Sequence, residues 1–570
     1  MTSLASLQLA LVLGLLLLTV RPLGLYMQRV FAGQRTVLSP LLRPIETTLY
    51  RLAGISPDQE QGWFNYALAF LLFHLPGIAL LYLLLRLQHL LPLNQAGLPP
   101  VPPDLALNTA VSFATNTSWQ SYGGETTLGP LAQMAGIAVQ SFLSAAAGIA
   151  VAIALIRGLS RHGAGAIGNF WVDLTRATLY VLLPFSLAAG LFLAWQGVPQ
   201  TLHATTAAAT TLQGAHQSIP IGPVASQEAI KLLSGDGGGF FNAQSAHPFE
   251  NPTTLTNLLG MLLMPLIGAA LTNCFGRMVG DQRQGWALLC AMLLLLVAGA
   301  VALHATESAA NPLLAATGID QHPGNLEGKE LRFGIPGSTL FSELGTATSS
   351  GAVNAMHDSY MPLGGLVLLA NMMLDEVIIG GPGSGLFGML LYALVAVFIG
   401  GLMIGRTPEY IGNKIEAREI KLTVLAILMI PATLLCLTAL AVVLPAGLAA
   451  LGNAGPHGFS EVLYAYTSAA NTNGSAFAGL SANTRFYNLT LALAMVLGRF
   501  FVVVPVLALA GSLAGKRLVP ASLGTLPTTG PLWVGLLLGV IVIVGGLSYL
   551  PALALGPIAE QMSMAHGLSF

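Results

Sequence analysis

The sequence predicts an all-α membrane protein of about ten transmembrane helices, four of its outer connections being channel-like re-entrant segments. Three observations point there. Of 570 residues, 54% are hydrophobic and only 8% charged, with a mean hydropathy of +0.73; a water-soluble chain of this length needs far more charge to cover its surface. Apolar runs long enough to cross a bilayer recur along the whole sequence. Between them lie polar segments of one composition, repeated four times.

A helix needs roughly 20 apolar residues to span the hydrocarbon. Such runs occur near 5–25, 64–91, 131–156, 177–197, 256–277, 285–305, 362–404, 420–446, 484–513 and 531–553. The first is not a cleavable signal, because MTSLASLQ carries no basic residue and no A-x-A pattern follows. With the N-terminus outside, the inner segments carry sixteen Lys and Arg residues, and the outer ones only Lys231, Lys329, Arg332 and Arg485. The positive-inside rule therefore puts both termini outside. A net charge of −1 leaves no footprint for nucleic acid. Cys274, Cys290 and Cys436 lie in or beside apolar runs without metal-ligand spacing and read as free core thiols.

The four unusual connections are LNTAVSFATNTSWQ (107–120), SQEAIKLLSGDGGGFF (226–241), FSELGTATSSGAV (341–353) and FSEVLYAYTSAANTNGSAF (459–477). Each is a short helical stretch followed by Gly, Ser, Thr and Asn. Aligning D-G-G-G-F with N-G-S-A-F pairs Gly237 with Gly474 and Phe240 with Phe477; Gly351 follows Ser350 in the third copy, and Thr117 follows Asn116 in the first. A recurring unit of this size, two spans around a re-entrant segment, is an internal repeat. The expected organisation is an N-terminal helix and inner segment (1–62), four pore repeats (63–160, 161–280, 281–415 with a broken second helix, and 416–518) and a C-terminal helix (519–570).

The residue types explain themselves if a cation passes between the four copies. An uncompensated ion in hydrocarbon costs on the order of tens of kcal/mol, and cation filters replace water with rings of backbone carbonyls from four loops. Aiming successive carbonyls at one axis requires backbone angles that glycine adopts freely. Non-helical backbone at membrane depth is tolerated only where protein buries it or water lines it.

Ionisable residues within spans are informative because lipid penalises them. Arg499, deep in LALAMVLGRFFVVVPVLALAG, is expected to face the pore below the fourth polar segment, where it repels a second cation or anchors a gate. Asp375 and Glu376 precede IIGGPGSG, a run that cannot continue as plain helix. A broken span with a loop at Gly380–Gly385 beneath the filter follows, the two carboxylates either contacting ions or capping the break and meeting Arg499. Arg86 reads as an interfacial anchor, and His357 and His457 as ordinary outer-face residues. There is no Walker A motif, D-K-T-G sequence or HExxH, so no catalytic residue and no cofactor are expected. Any ATP-driven step belongs to another chain.

With these segments in view, the chain strongly resembles the KdpA family, the potassium-binding subunits of bacterial Kdp potassium-transporting ATPases. The resemblance runs over essentially the whole length and is most specific in LALNTAVSFATNTSWQSYGGETTL (105–128), in GPVASQEAIKLLSGDGGGFFNAQSAHPFENP (222–252), in GLMIGRTPEYIGNKIEAREIKL (401–422), in GPHGFSEVLYAYTSAANTNGSAFAGLSANT (455–484) and in PALALGPIAE (551–560). It implies K⁺ entry from the periplasm, selection at a filter, and sideways passage through an intramembrane tunnel to a P-type ATPase subunit, KdpB. KdpC and KdpF complete the complex in the bacterial inner membrane. The implied filter comprises Asn116, Thr117, Gly237, Gly238, Ser350, Gly351, Asn473 and Gly474, with Gln120 and Asp236 close by. Asp375, Glu376, Gly380, Gly383 and Arg499 are the implied gate or tunnel elements. The chain departs from the family in one place, where Gly235-Asp236 stand instead of Thr-Asn before the three glycines. Asp236 either adds negative charge near the outermost ion positions or turns away to cap a backbone amide, and capping is the preferred reading. The alternative function is a passive or regulated Trk/Ktr-type K⁺ channel subunit; an intramembrane enzyme built on Asp375 and Glu376 lacks a recognisable nucleophile or metal set.

Overall fold

The computed structural model describes residues 3–209, 216–322, 324–374, 377–520 and 525–568. Asp375 and Glu376 lie outside the described residues. Among those described, ten helices are long and apolar enough to cross a membrane. In hydrocarbon every backbone N–H and C=O must be satisfied within the segment, and a helix does this. Internal prolines at Pro76, Pro265, Pro431 and Pro505 leave their spans unbroken.

After Ser3–Phe31 the chain runs four times through outer span, short helix and inner span. The first copy is Trp63–Arg86, Pro103–Ala114 and Val139–Ser160. The second has the outer span Phe170–Trp195, then Val224–Leu233 and Thr254–Met278. The third is Gln282–Glu307, Gly334–Ala347 and a divided inner span, Pro362–Met373 and Ser384–Ile404. The fourth is Ala417–Val443, Gly455–Ala470 and Arg485–Ala514. Pro531–Leu553 and Ala559–Ala565 close the chain.

Burial separates inner from outer spans. The inner spans bury 67–83% of their most apolar stretch, whereas the outer spans bury 28–44%. Leu68, Leu72, Leu75, Leu80 and Leu83 of Trp63–Arg86 are accordingly exposed and form a lipid-facing surface. Inner elements approach closely through small residues. Gly498, on the fourth inner span, lies against the backbone of Ala470 at the end of the fourth short helix, and a Cβ there would collide with the Ala470 carbonyl. This alternation sets four short helices inside the bundle with their C-terminal ends converging.

Candidate ion site at the centre of the four repeats

Each short helix ends on a polar residue: Thr115, Ser234, Thr348 and Asn471. The next residue has a left-handed backbone in every copy: Asn116 (φ +64°), Gly235 (+60°), Ser349 (+54°) and Thr472 (+60°). In three copies the following amide reaches back across the last turn, Thr117 N to Ser112 O (2.9 Å), Asp236 N to Lys231 O (3.2 Å) and Asn473 N to Ser468 O (2.9 Å). This is the Schellman helix ending, in which a left-handed residue lets the chain turn off the helix axis. Three of the four left-handed residues are not glycine, a conformation that costs about 1–2 kcal/mol per residue and that persists where surrounding structure fixes it.

Two residues further on, Ser118 (φ +58°), Gly351 (+60°) and Gly474 (+100°) are left-handed again; in the second copy this falls to Gly238 (+58°), one position after Gly237. Alternation of this kind lets successive peptide groups face one axis. Counted from the helix ends, the position shared with Gly237, Gly351 and Gly474 is Ser118. The sequence alignment had paired Thr117 with those glycines, and the first copy is shifted from it by one residue. The first strand carries no glycine to mark the position; the left-handed helix ending at Asn116 is the signal that locates it.

The strands close into a ring. A Cβ on Gly237 would stand 2.9 Å from the backbone of Gly351, and one on Gly238 3.1 Å from Ser118 O. A Cβ on Gly351 would collide with the carbonyl oxygen of Asn473, and one on Gly474 with that of Thr117. Side chains lock neighbouring strands together. Asn116 Nδ2 donates to Gly235 O at 3.2 Å, and Asn473 Nδ2 donates to Gly345 O at 3.1 Å. Ser350 Oγ lies 3.5 Å from Asp236 O. Gln120 accepts a 2.8 Å hydrogen bond from Gly239 N, so it ties the first strand to the second. Thr117 pairs with Thr115 through their hydroxyls at 2.9 Å.

Asp236 is fully buried. Its Oδ1 accepts from Ser118 Oγ at 2.7 Å and its Oδ2 from Ser234 Oγ at 3.3 Å. The expected backbone-amide cap is not what these bonds show. Serine hydroxyls hold the carboxylate because Ser118 and Ser234 bring theirs within reach, and the group is shut off from solvent.

Beneath the ring lies the break in the third inner span. Gly380 (φ +68°) and Gly383 (+105°) bracket it, and Ile379 N and Gly380 N bond Ala347 O at 3.2 and 2.9 Å. Cβ positions built on Gly235 and on Gly148 would meet Pro382 at 2.5 and 2.6 Å, so this loop fills the floor under the second strand. Arg499 is buried beside it. Its Nη2 donates to Ser144 O at 3.1 Å, and the Ser144 hydroxyl donates to Asn116 Oδ1 at 3.1 Å. Arg499 Nε has no partner among the described residues. A small cavity of about 40 Å³ lies here, lined by Arg499, Asn471, Thr472 and Tyr392 among others.

The outer-face histidines differ from their sequence reading. His357 is 2% exposed and bonds Tyr464 Oη at 2.9 Å, while His457 is held between two acids. Lys231 and Lys329, counted in the sequence as outer charges, are buried in ion pairs with Glu228, Glu250 and Glu307. Arg86 donates to Val101 O at 2.5 Å.

Residues 10–562 match the family described as KdpA, potassium-transporting ATPase A subunit. The chain belongs to the KdpA family. Relatives of similar length are named potassium-transporting ATPase potassium-binding subunit. One from Methylorubrum populi is 60% identical over all of this chain and 99% of its own. One from Rhodopseudomonas palustris is 60% identical over 99% of both, and one from Methylobacterium radiotolerans 61% over 99% and 98%. The crystal structure of the potassium transporter TrkH from Vibrio parahaemolyticus superposes with a TM-score of 0.50, covering 88% of this chain and 97% of that one at 14% identity. That likeness shows a shared fold and does not favour a Trk-type function over a KdpA one.

Proposed function

We propose that this KdpA-family chain is the potassium-binding and translocating subunit of an ATP-driven K⁺ uptake system. One observation carries the reading: four strands, each leaving a short helix through a left-handed residue, form a closed ring of backbone over a buried arginine and a glycine loop. A ring of backbone oxygens replaces the water around K⁺, and the filter comprises Asn116, Thr117, Ser118, Gly237, Gly238, Ser350, Gly351, Asn473 and Gly474. Pro382, its flanking glycines and Arg499 obstruct straight passage, so the ion leaves sideways, toward a KdpB-type P-type ATPase subunit that hydrolyses ATP. KdpC and KdpF complete the assembly. Ten spans bring both termini to the side on which the filter opens, and the bias of Lys and Arg makes that side the periplasmic face of a bacterial inner membrane.

The test is purification from membranes that also express the neighbouring subunits. A P-type ATPase should copurify, hydrolysis should rise with K⁺, and the chain alone should hydrolyse no ATP. A soluble nucleotide-binding regulator in its place would move the chain to the Trk/Ktr reading.

A further inference from the structure

His457 stands on the first turn of Gly455–Ala470, on the side where the filter opens. Its Nδ1 lies 2.8 Å from Glu560 Oε1, and its Nε2 lies 3.2 Å from Asp358 Oδ1. Asp358 comes from the turn His357–Ser359 that follows the third filter strand, and Glu560 from the last helix, Ala559–Ala565. Glu461, one turn along from His457, supplies a further carboxylate. Single ligand atoms of Asp358, His457 and Glu461 all lie within 4.8 Å of one another.

The arrangement goes beyond a group of acids. In a tetrahedral site with bonds of about 2.0–2.1 Å, ligand atoms stand about 3.4 Å apart, close to the 3.2 Å between Nε2 and Oδ1. Metal-bound imidazoles donate their other N–H to a carboxylate, which fixes the tautomer and the ring plane; Glu560 holds that position on Nδ1. Gly479 leaves room where the acids converge, since a Cβ there would lie 2.7 Å from Asp358 Oδ2 and collide with Glu461 Oε1. Among the described residues, the ion pairs of Asp358 and Glu560 are with His457 alone, so three carboxylates surround one imidazole with a surplus of negative charge. A cavity of about 240 Å³, lined by Asp358, His457, Glu560, Asn453 and Tyr360 among others, provides an entry path to Asp358 and His457.

We propose that Asp358, His457 and Glu461 form a divalent transition-metal site of the zinc type at the filter mouth, with Glu560 orienting the imidazole. The mixed nitrogen and oxygen donors suit zinc better than magnesium, which takes oxygen in near-ideal octahedra. The site touches the filter through packed groups. The His457 ring stacks on Phe477 (centroids 6.1 Å apart, 12° between planes), and Phe477 stacks on Tyr464 (4.2 Å, 20°). Tyr464 Oη lies 2.8 Å from Ser475 Oγ, which bonds Asn473 Oδ1. Zinc occupancy therefore changes the apparent K⁺ affinity, and K⁺ changes zinc affinity by the same factor. This coupling rests on the proposed filter; metal binding itself does not.

The experiment uses the intact, tag-free complex in detergent, with Zn²⁺ titrated against a chromogenic chelator and Co²⁺ as a spectroscopic substitute. The parent should bind one Zn²⁺ in competition with the chelator, and its Co²⁺ form should show the intense visible bands of a tetrahedral site. His457→Gln and Glu461→Gln should each weaken Zn²⁺ at least tenfold, with assembly and monodispersity checked by size exclusion. Mg²⁺ should not compete. Zinc binding unaltered in both variants, or no binding by the parent at 100-fold molar excess, overturns the site. Bound zinc that leaves half-saturating K⁺ unchanged in ATPase assays overturns the coupling.

Discussion

Ser118 of the first repeat donates a 2.7 Å hydrogen bond to the carboxylate of Asp236 in the second. Neither residue is exposed, and the bond joins two neighbouring segments of the ring. It also places a carboxylate inside the ring, with Arg499 as the cation whose charge acts on it. At an effective dielectric of about 20, unit charges about 8 Å apart interact by about 2 kcal/mol, roughly 30-fold in binding. Asparagine would keep an acceptor for Ser118 and remove the charge. Asp236→Asn is expected to raise half-saturating K⁺ in ATPase assays at least tenfold, whereas Ser118→Ala should raise it threefold or less. A shift below twofold in Asp236→Asn would mean that the carboxylate only fastens strands.

Gly351 and Gly474 combine a left-handed backbone with a neighbouring carbonyl in the space of a Cβ. Alanine at either pays the left-handed penalty of about 1–2 kcal/mol and displaces the Asn473 or Thr117 carbonyl. Gly237 has no left-handed requirement, and its nearest atom is 2.9 Å from a built Cβ. Gly351→Ala and Gly474→Ala should lower K⁺ affinity at least tenfold and admit Rb⁺, NH₄⁺ or Na⁺, with Gly237→Ala milder. Competition by these ions in ATPase assays is the measurement. Unchanged preference in all three, at normal expression, would remove the glycines from the ion site.

Lys329 and Glu307 pair at 2.7 Å with both side chains fully buried, clamping the third outer span to the loop before the third short helix. Glu307 also accepts from Asn325 Nδ2 and Met361 N, each at 2.9 Å. Removing one member of such a pair strands a buried charge at about 3–5 kcal/mol. Lys329→Met should lower the melting temperature of the purified complex, and Lys329→Met with Glu307→Gln should recover at least half the loss. Equal melting temperatures for single and double variants would contradict the clamp.

The ten spans were legible because lipid demands long apolar runs, and the four repeats because glycine and small polar residues recur at near-equal spacing. The divided third inner span was marked by the proline and glycines around Pro382. Register was harder to read. Ser118 carries no glycine, and its place follows only from the left-handed helix ending at Asn116. The partners of Asp236 and His457 come from other repeats, Ser118 and Asp358 lying more than 95 residues away, and Glu307 lies 22 residues from Lys329 within one repeat, distances that local periodicity does not encode. Lys231 was more accessible, since Glu228 precedes it by three residues on one helix, a spacing that brings the two side chains together.

Arg499 donates a 3.1 Å hydrogen bond to Ser144 O, and its Nε is unpaired among the described residues. Ser144 in turn bonds Asn116, so the guanidinium reaches the first left-handed residue through one intermediary. A Cβ on Gly148 would meet Pro382 O at 2.6 Å and Arg499 Nη2 at 3.2 Å, which puts cation and loop side by side. On the function proposed above, a buried positive charge there repels an arriving K⁺. Glutamine keeps a donor for Ser144 but removes the repulsion. Arg499→Gln is therefore expected to give proteoliposomes an ATP-independent K⁺ flux at least tenfold above the parent, and to raise the ATP consumed per K⁺ delivered. Arg499→Lys retains the charge without the planar fork, so its leak should stay near the parent level even if turnover falls. A Gln variant that is leak-free and fully coupled would reduce Arg499 to a packing role, and a Lys variant as leaky as Gln would shift the block from its charge to its shape.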